Sequence, residues 1–244
     1  MNGNNPTNSR SPSGKAAHPG QRAGHQDRTR TTLLDAAEEL FADRSFYGVS
    51  VRDITNHAGT RLAAVSDCFG GKESLFAEVL LRRLHPLNAD RRTRLAALPT
   101  AGPRTRRLRA LIDAFAEPML RRAGESAGWR HYFRLTAQLA NTNQPVLRLV
   151  AEDYNAIATE FIEHLRLIFP GADQVAVHDA YLYLVAVTVN TFAATARLDS
   201  LTHGRLHAAD LARRYASLRP FLEGGVTRLV GSRPPPQATS PSGS

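Results

Sequence analysis

The sequence predicts an all-α chain in two parts. The first is an N-terminal three-helix helix-turn-helix unit, and the second is a larger helical bundle behind it. Three observations predict this. Apolar residues recur every three or four positions from about residue 28 to 230. Gly, Pro and capping residues fall between these periodic stretches, where helices end and begin. The stretch Ser50 to Phe76 reads as helix, Gly-containing turn, helix, and the start of a further helix. The expected division is a disordered tail at 1–26, the helix-turn-helix at 27–72, the bundle at 73–230 and a second disordered tail at 231–244.

The helix-turn-helix is the most specific signal. Ser50 is placed to cap the first short helix, and Asp53 three residues later can close a capping box on the Ser50 amide. Val49 and Ile54 flank that cap as a hydrophobic staple. Val51, Ile54 and Ala58 share one face. Gly59 follows where a left-handed residue commonly ends a helix. Leu62, Val65 and Phe69 repeat the pattern, and Gly70-Gly71 closes it. The second short helix is the one expected to enter a DNA major groove.

The other elements follow in order. Residues 1–26 are rich in Asn, Ser, Pro and Gly and lack apolar periodicity, so a solvated tail is expected, with a phosphate-seeking basic arm as the alternative. Asp27 is placed to cap a helix from Arg28 to Arg44 with Leu33, Ala37, Leu40 and Phe41 inside. A long helix from Lys72 to about Leu95 contains Pro86, expected to kink or break it. Nine Arg between positions 82 and 109 face one acid, Asp90, and read as a solvated face that can also support DNA binding. Helices are expected at Arg104–Arg122, bent at Pro118, and at Ser126–Asn141. Pro145 opens the next, to about Phe169, at the position where Pro is tolerated. The apolar run at 175–197 is β-branched and alternating, yet its length and helical neighbours favour a helix over a strand. A last helix is expected from about Leu206 to Val230.

Composition bounds the function. The net charge of +9 favours a polyanionic partner. Only Lys15 and Lys72 are lysine, and the Arg bias can partly reflect base composition. A lone cysteine, Cys68, excludes an intramolecular disulfide and fits a reducing, cytoplasmic setting. No secretory signal is visible, and the run Ala180–Ala196 carries Thr188, Asn190, Thr191 and Thr195, which suits a buried helix better than a bilayer span. No membrane partner is expected. A Gly-rich phosphate loop, a G-x-S-x-G elbow and a placed carboxylate pair are all missing, so no enzyme is expected. His203, His207 and Asp210 have partial metal spacing but straddle Gly204 in an inter-helix loop. Neither a metal nor another cofactor is expected.

The run Leu40-Phe41-Ala42-Asp43-Arg44, Ser50-Val51-Arg52-Asp53-Ile54, Ala58-Gly59, Ala63-Ala64-Val65 and Phe69-Gly70-Gly71-Lys72-Glu73-Ser74-Leu75 resembles the TetR family of bacterial transcriptional regulators. More loosely, Phe133-Arg134-Leu135, Pro145-Val146-Leu147 and Leu218 through Phe221 resemble its fatty-acid- and acyl-CoA-responsive members. The resemblance implies an all-helical homodimer on a palindromic double-stranded operator, released by a small-molecule inducer. Repression is the expected outcome. The alternative is a family-like scaffold with weakened DNA contacts that binds ligands or proteins.

Candidate residues follow. Ser50, Arg52 and Lys72 lie at helix N-termini and can hold phosphates, as can Thr29 and Arg30 from the first helix. Arg61, Leu62, Ala63, Ser66 and Asp67 are the recognition-helix candidates: Arg61 for guanine, Ala63 for a thymine methyl, Asp67 for a cytosine amino group. Arg61 stands where the family has a capping Ser or Asn, so Thr60 is expected to cap one residue early. Ser45 replaces a usual Gly. Residues 31–79 hold eight acids against four basic residues, an unfavourable balance near phosphates. For a ligand pocket the candidates are Phe115, Met119, Trp129, Phe133, Tyr154, Phe161 and Tyr181, with Arg130 and Arg134 as anchors for an anionic head. For dimerisation they are Val185, Val189, Phe192 and Ala196 on one helix and Leu211, Leu218 and Leu222 on the last.

Overall fold

The computed structural model describes residues 19–140 and 145–231. The C-terminal tail beyond 231 and residues 1–18, including any basic arm there, lie outside the described residues. Ten α-helices and one 3-10 turn make up the described chain. They are α1 (Pro19–Arg44), α2 (Val51–His57), α3 (Ala64–Phe69), α4 (Lys72–Ala96), α5 (Arg104–Glu125), α6 (Ala127–Leu139), α7 (Ala151–Ile168), α8 (Gln174–Phe192), α9 (Arg197–Leu201) and α10 (Leu211–Gly231). Elements α1 to α3 form the small unit, and α4 to α10 the bundle.

Several expected boundaries are corrected. Helix α1 begins at Pro19, so Asp27 lies inside it; its carbonyl accepts from Thr31 Oγ1 at 2.9 Å rather than its side chain capping an end. Pro suits a first helical position because its missing N–H is unsatisfied there in any case. Pro145 opens a 3-10 turn, Pro145–Leu149, and α7 starts only at Ala151. Helix α4 runs through Pro86 and α5 through Pro118 without a break. The apolar run at 174–192 is helical and is capped by Asp173, which accepts from the Ala176 amide at 3.0 Å. The short α9 was not foreseen, and α10 starts later than expected.

One continuous apolar core runs through both parts. Phe41 of α1, Phe46 of the link and Phe76 of α4 form an edge-packed trio with centroids 4.9 to 6.0 Å apart, which seats the small unit on α4. Gly48 is required in that link, because a Cβ there would stand 2.2 Å from the Arg44 carbonyl oxygen.

A second joint is ionic. Glu38 of α1, 1% exposed, accepts from Arg82 Nη2 at 2.6 Å and from Arg83 at 2.9 and 2.8 Å. Arg82 also reaches Asp35 at 2.8 Å. Helix α6 closes over the cluster at Gly128, where a Cβ would meet Arg83 Nη2 at 2.2 Å. Further along α6, Arg134 pairs with Asp43 at 2.7 Å and Gln138 Nε2 donates to the Ala42 carbonyl at 2.7 Å. Both partners lie near the C-terminal end of α1.

Candidate nucleic-acid interface and ligand cavity

The capping box forms as expected. Asp53 N donates to Ser50 Oγ at 3.1 Å, and Ser50 N donates back to Asp53 Oδ2 at 2.8 Å. The Ser50 hydroxyl, then its backbone amide, holds the Asp53 carboxyl below its ordinary value of 3.8. Gly59 takes φ 63°, which turns the chain between α2 and α3.

The approach to α3 differs from the expectation. Helix α3 begins at Ala64, with Ala63 at the N-cap and no side-chain cap. Thr60 Oγ1 is buried without a hydrogen-bond partner among the described residues and does not cap α3. Arg61, Leu62 and Ala63 therefore lie on the turn leading into α3, and only Ser66 and Asp67 lie on the helix. All five are exposed. Arg61 Nη2 donates to Asp67 Oδ2 at 2.7 Å, so the acid that sat awkwardly near phosphates has its counter-charge within the same surface.

Two phosphate candidates have other duties. Arg30 donates to the Cys68 carbonyl at 2.8 Å, pairs with Glu78 and lies 4.5 Å from the Phe69 ring. It braces the C-terminal end of α3 against α1 and α4, where a cation is favoured. The Lys72 ammonium lies 4.1 Å from the Phe46 ring centroid, and partial burial lowers its pKa. Thr29 is half-buried beside them. Ser50 and Arg52 are exposed at the start of α2. Tyr47, 67% exposed and stacked edge-on against Phe46, stands just ahead of them and was missed. Its only sequence signal was an aromatic next to Gly48.

The acid excess of residues 31–79 is resolved by tertiary pairing. Asp35 and Glu38 go to Arg82 and Arg83, Asp43 to Arg134, and Glu78 to Arg30, all arginines from outside that span. The Arg run at 82–109 is correspondingly not a free basic face. Arg92, Arg94 and Arg109 pair with Glu160, Glu117 and Glu223.

Inside the bundle lies a cavity of about 60 Å³. Helix α4 contributes Leu87 and Arg91, and α5 contributes Phe115 and Met119. Helix α6 adds Tyr132, Phe133 and Thr136, α7 adds Tyr154 and Ile157, and α8 adds Tyr181, Val185 and Val189. The structure thus brings together Phe115, Met119, Phe133, Tyr154 and Tyr181 from the expected set. The other four are elsewhere. Phe161 packs behind Phe115 at 5.2 Å. Trp129 lies between the guanidinium groups of Arg83 and Arg122, 5.2 and 5.1 Å from its ring. Arg130 donates to the Ala123 carbonyl at 3.3 Å, and Arg134 is committed to Asp43. Arg91 and Tyr132 were missed; helical phase alone does not tell a core-facing arginine from its surface neighbours. Burial raises the Tyr132 hydroxyl to about 12 and lifts Tyr154 well above its ordinary value, so both phenols stay protonated at neutral pH.

The expected dimer stripe faces inward. Val189, Phe192, Leu218 and Leu222 are buried within the chain, where α8 packs on α10, and Val185 lines the cavity. Leu211 is half-buried at the start of α10, and Ala196 is exposed beyond the end of α8. On these two helices the large apolar side chains left exposed are Val175, Leu182 and Tyr183 of α8 and Phe221 of α10. His207 pairs with Asp199 at 3.1 Å, and no group of three potential metal ligands occurs among the described residues.

Residues 33–79 match the bacterial regulatory proteins of the tetR family, and residues 113–225 match the Tetracyclin repressor-like, C-terminal domain. Together these spans make up more than half of the chain. The protein belongs to the TetR family of bacterial transcriptional regulators, which bind DNA and are not enzymes. It is 33% identical over 99 residues to the HTH-type transcriptional activator FasR of Mycolicibacterium smegmatis, over 39% of this chain and 44% of FasR. The chain therefore spans under half the length of that curated relative. Among solved structures it is similar to Salmonella enterica GusR, with a TM-score of 0.57 and 18% identity over 84% of this chain and 96% of that one. It is also similar to the ketosteroid transcriptional regulator KstR2 of Mycobacterium tuberculosis, at 0.54 and 21% over 80% and 93%. A third is FadR of Bacillus subtilis in complex with stearoyl-CoA, at 0.52 and 16% over 80% and 98%. At these identities the structural likeness speaks for the fold.

Proposed function

We propose that this regulator binds a palindromic operator as a homodimer and is released by a small apolar or acyl-type ligand held in the α4–α8 cavity. The carrying observation is that Ser50, Arg52, Arg61, Ala63, Ser66 and Asp67 are all exposed on the three-helix unit, with Arg61 tied to Asp67 across the turn into α3. Ser50, Arg52 and Tyr47 position the duplex through phosphates, while the turn residues Arg61 to Ala63 and the α3 residues reach base edges. Arg30 and Lys72 act as braces in this reading rather than as phosphate contacts.

The dimer face is the exposed apolar side of α8 and α10, around Leu182, Tyr183 and Phe221, covered by a second copy. Helix α8 is long and apolar enough by composition to cross a membrane. Its packing on α5, α6, α7 and α10 and the family's habit of dimerising favour a protein partner on its outer side. Helix α6 couples the two sites. One face carries Tyr132, Phe133 and Thr136 to the cavity, and the other ties Arg134 and Gln138 to α1. A ligand that shifts α6 moves the small unit of each protomer and changes the spacing of the two reading heads. We place the protein in the cytoplasm with its DNA. Repression follows where the operator overlaps a promoter; FasR carries the name of an activator, and the sign is set by where the operator lies.

Selection from random duplexes, followed by binding across a salt series, tests this reading. The expected result is a two-fold symmetric site whose affinity falls steeply with salt. Absence of duplex binding even at low salt would favour a ligand- or protein-binding module on the same scaffold.

A further inference from the structure

The buried arginine of the cavity is unlike the others in the molecule. Arg82 and Arg83 share Glu38, and Arg122 pairs with Asp90 and Glu125. Arg91 is 5% exposed, and no carboxylate among the described residues pairs with it. Its Nε donates to the Phe115 carbonyl and its Nη1 to Asn88 Oδ1, each at 3.2 Å. Its guanidinium carbon lies 3.9 Å from the Phe115 ring centroid. Those contacts orient the group but leave its charge without an anion. A buried, uncompensated charge is costly and is retained only with a counter-charge or a use.

The surroundings indicate the missing partner. The polar side chains that line the cavity with Arg91 are Tyr132, Thr136, Tyr154 and Tyr181, and no acid among the described residues joins them. Tyr132 and Tyr154 hydroxyls lie 3.4 Å apart, so one can donate to the other while the second keeps a proton to give. The Tyr181 ring packs on Phe115 and Phe161, and its hydroxyl makes no hydrogen bond among the described residues. One guanidinium and two available phenol protons converge on a space of about 60 Å³, the scale of a carboxyl group with a few neighbouring atoms.

We propose that the ligand is a free monocarboxylic acid, bound with its carboxylate inward against Arg91 and the tyrosine hydroxyls. Its apolar body lies along Met119, Ile157 and Val189. This rests on the reading of the cavity as the inducer site and sharpens its chemistry. A single negative charge balances Arg91, whereas a phosphate dianion would leave a second charge buried. A coenzyme A thioester would offer Arg91 a neutral carbonyl and carry its phosphates at the wrong end. The head-inward direction therefore selects the free acid over its thioester.

Thermal melting and calorimetry of the full chain without DNA test this. The probes are acetate, propionate, octanoate and decanoate at constant ionic strength, with their methyl esters and octanoyl-CoA beside them. The carboxylates are expected to raise the melting temperature with concentration, and octanoate to bind Arg91→Met about tenfold or more weakly than the parent. Arg91→Met, free of the buried charge, is expected to melt higher without ligand. Should that variant fold poorly, Tyr181→Phe is the second probe, with weaker acid binding and no change for esters. Equal binding of esters or thioester, undiminished acid binding in both variants, or no response to any carboxylate would overturn the proposal. Operator release is measured separately. Acid binding without release would leave the carboxylate site standing and remove the inducer reading; release by the thioester alone would do the reverse.

Discussion

At the scale of single residues, two positions combine a local cost with a clear reason. Ser45 ends α1 in the left-handed region, φ 60°, where a side chain is strained and Gly is not. Ser45→Gly is expected to stabilise the protein by up to about 1 kcal/mol, read as a higher denaturant midpoint with unchanged slope. Asp67 is the second. It holds Arg61 at 2.7 Å on an exposed surface, where such a pair is worth little for stability. Its worth lies in what Arg61 is allowed to touch. Asp67→Asn frees Arg61 and removes an anion from the proposed duplex face. Binding to every duplex should tighten, with a steeper salt dependence measured by fluorescence anisotropy. A loss restricted to one operator would instead mean that Asp67 accepts from a base.

At the scale of elements, α1, α4 and α6 meet at one ionic joint, and the joint is asymmetric in its tolerance. Glu38 is a buried acid serving two arginines, so removing its charge takes the ion pair from Arg83 and leaves Arg82 only Asp35. Breaking such a buried pair from one side typically costs about 3–5 kcal/mol, and Glu38→Gln is expected to lower the melting temperature accordingly. Gly128→Ala tests the same joint from α6 without touching a charge. Its Cβ would meet Arg83 Nη2 at 2.2 Å and Glu38 Oε2 at 2.6 Å, so α6 must move outward or the cluster must rearrange. Because α6 also lines the cavity, the substitution should alter operator affinity and ligand response together, while a surface Gly→Ala such as Gly124→Ala should leave both alone.

At the scale of the whole molecule, the proposed homodimer covers the apolar side chains left exposed on α8 and α10, and in that reading they set how many reading heads act at once. Leu182 and Tyr183 are 58% and 57% exposed and Phe221 65%, a grouping that a lone chain leaves wet. Leu182→Glu with Tyr183→Glu is expected to give a monomer in sedimentation velocity at micromolar concentration, with helicity retained and symmetric-operator binding lost. A parent chain already monomeric under those conditions would remove the two-headed reading, whatever the single unit binds.

The local grammar of this protein is written in near neighbours, and near neighbours are what a sequence displays. The all-α class, the Ser50–Asp53 box, the Gly59 turn and the helical character of the 174–192 run depend on residues a few positions apart. All were legible without coordinates, as was family membership from the 40–75 segment. Phase and partnership were decided only by the tertiary structure. Arg91 looked like one of nine similar arginines, because helical periodicity does not say which face a long, amphipathic side chain takes when several helices close around it. The inward stripe Val189, Phe192, Leu218 and Leu222 looked like an interface on the strength of the family resemblance, since an apolar face asks for cover without naming who provides it. The acid surplus of residues 31–79 was a true count with a misleading meaning, for its arginines come from α4, α6 and the middle of α1. Charge is summed along a chain but balanced in space, and only the fold brings Glu38 to Arg83 and leaves Arg91 without an acid among the described residues.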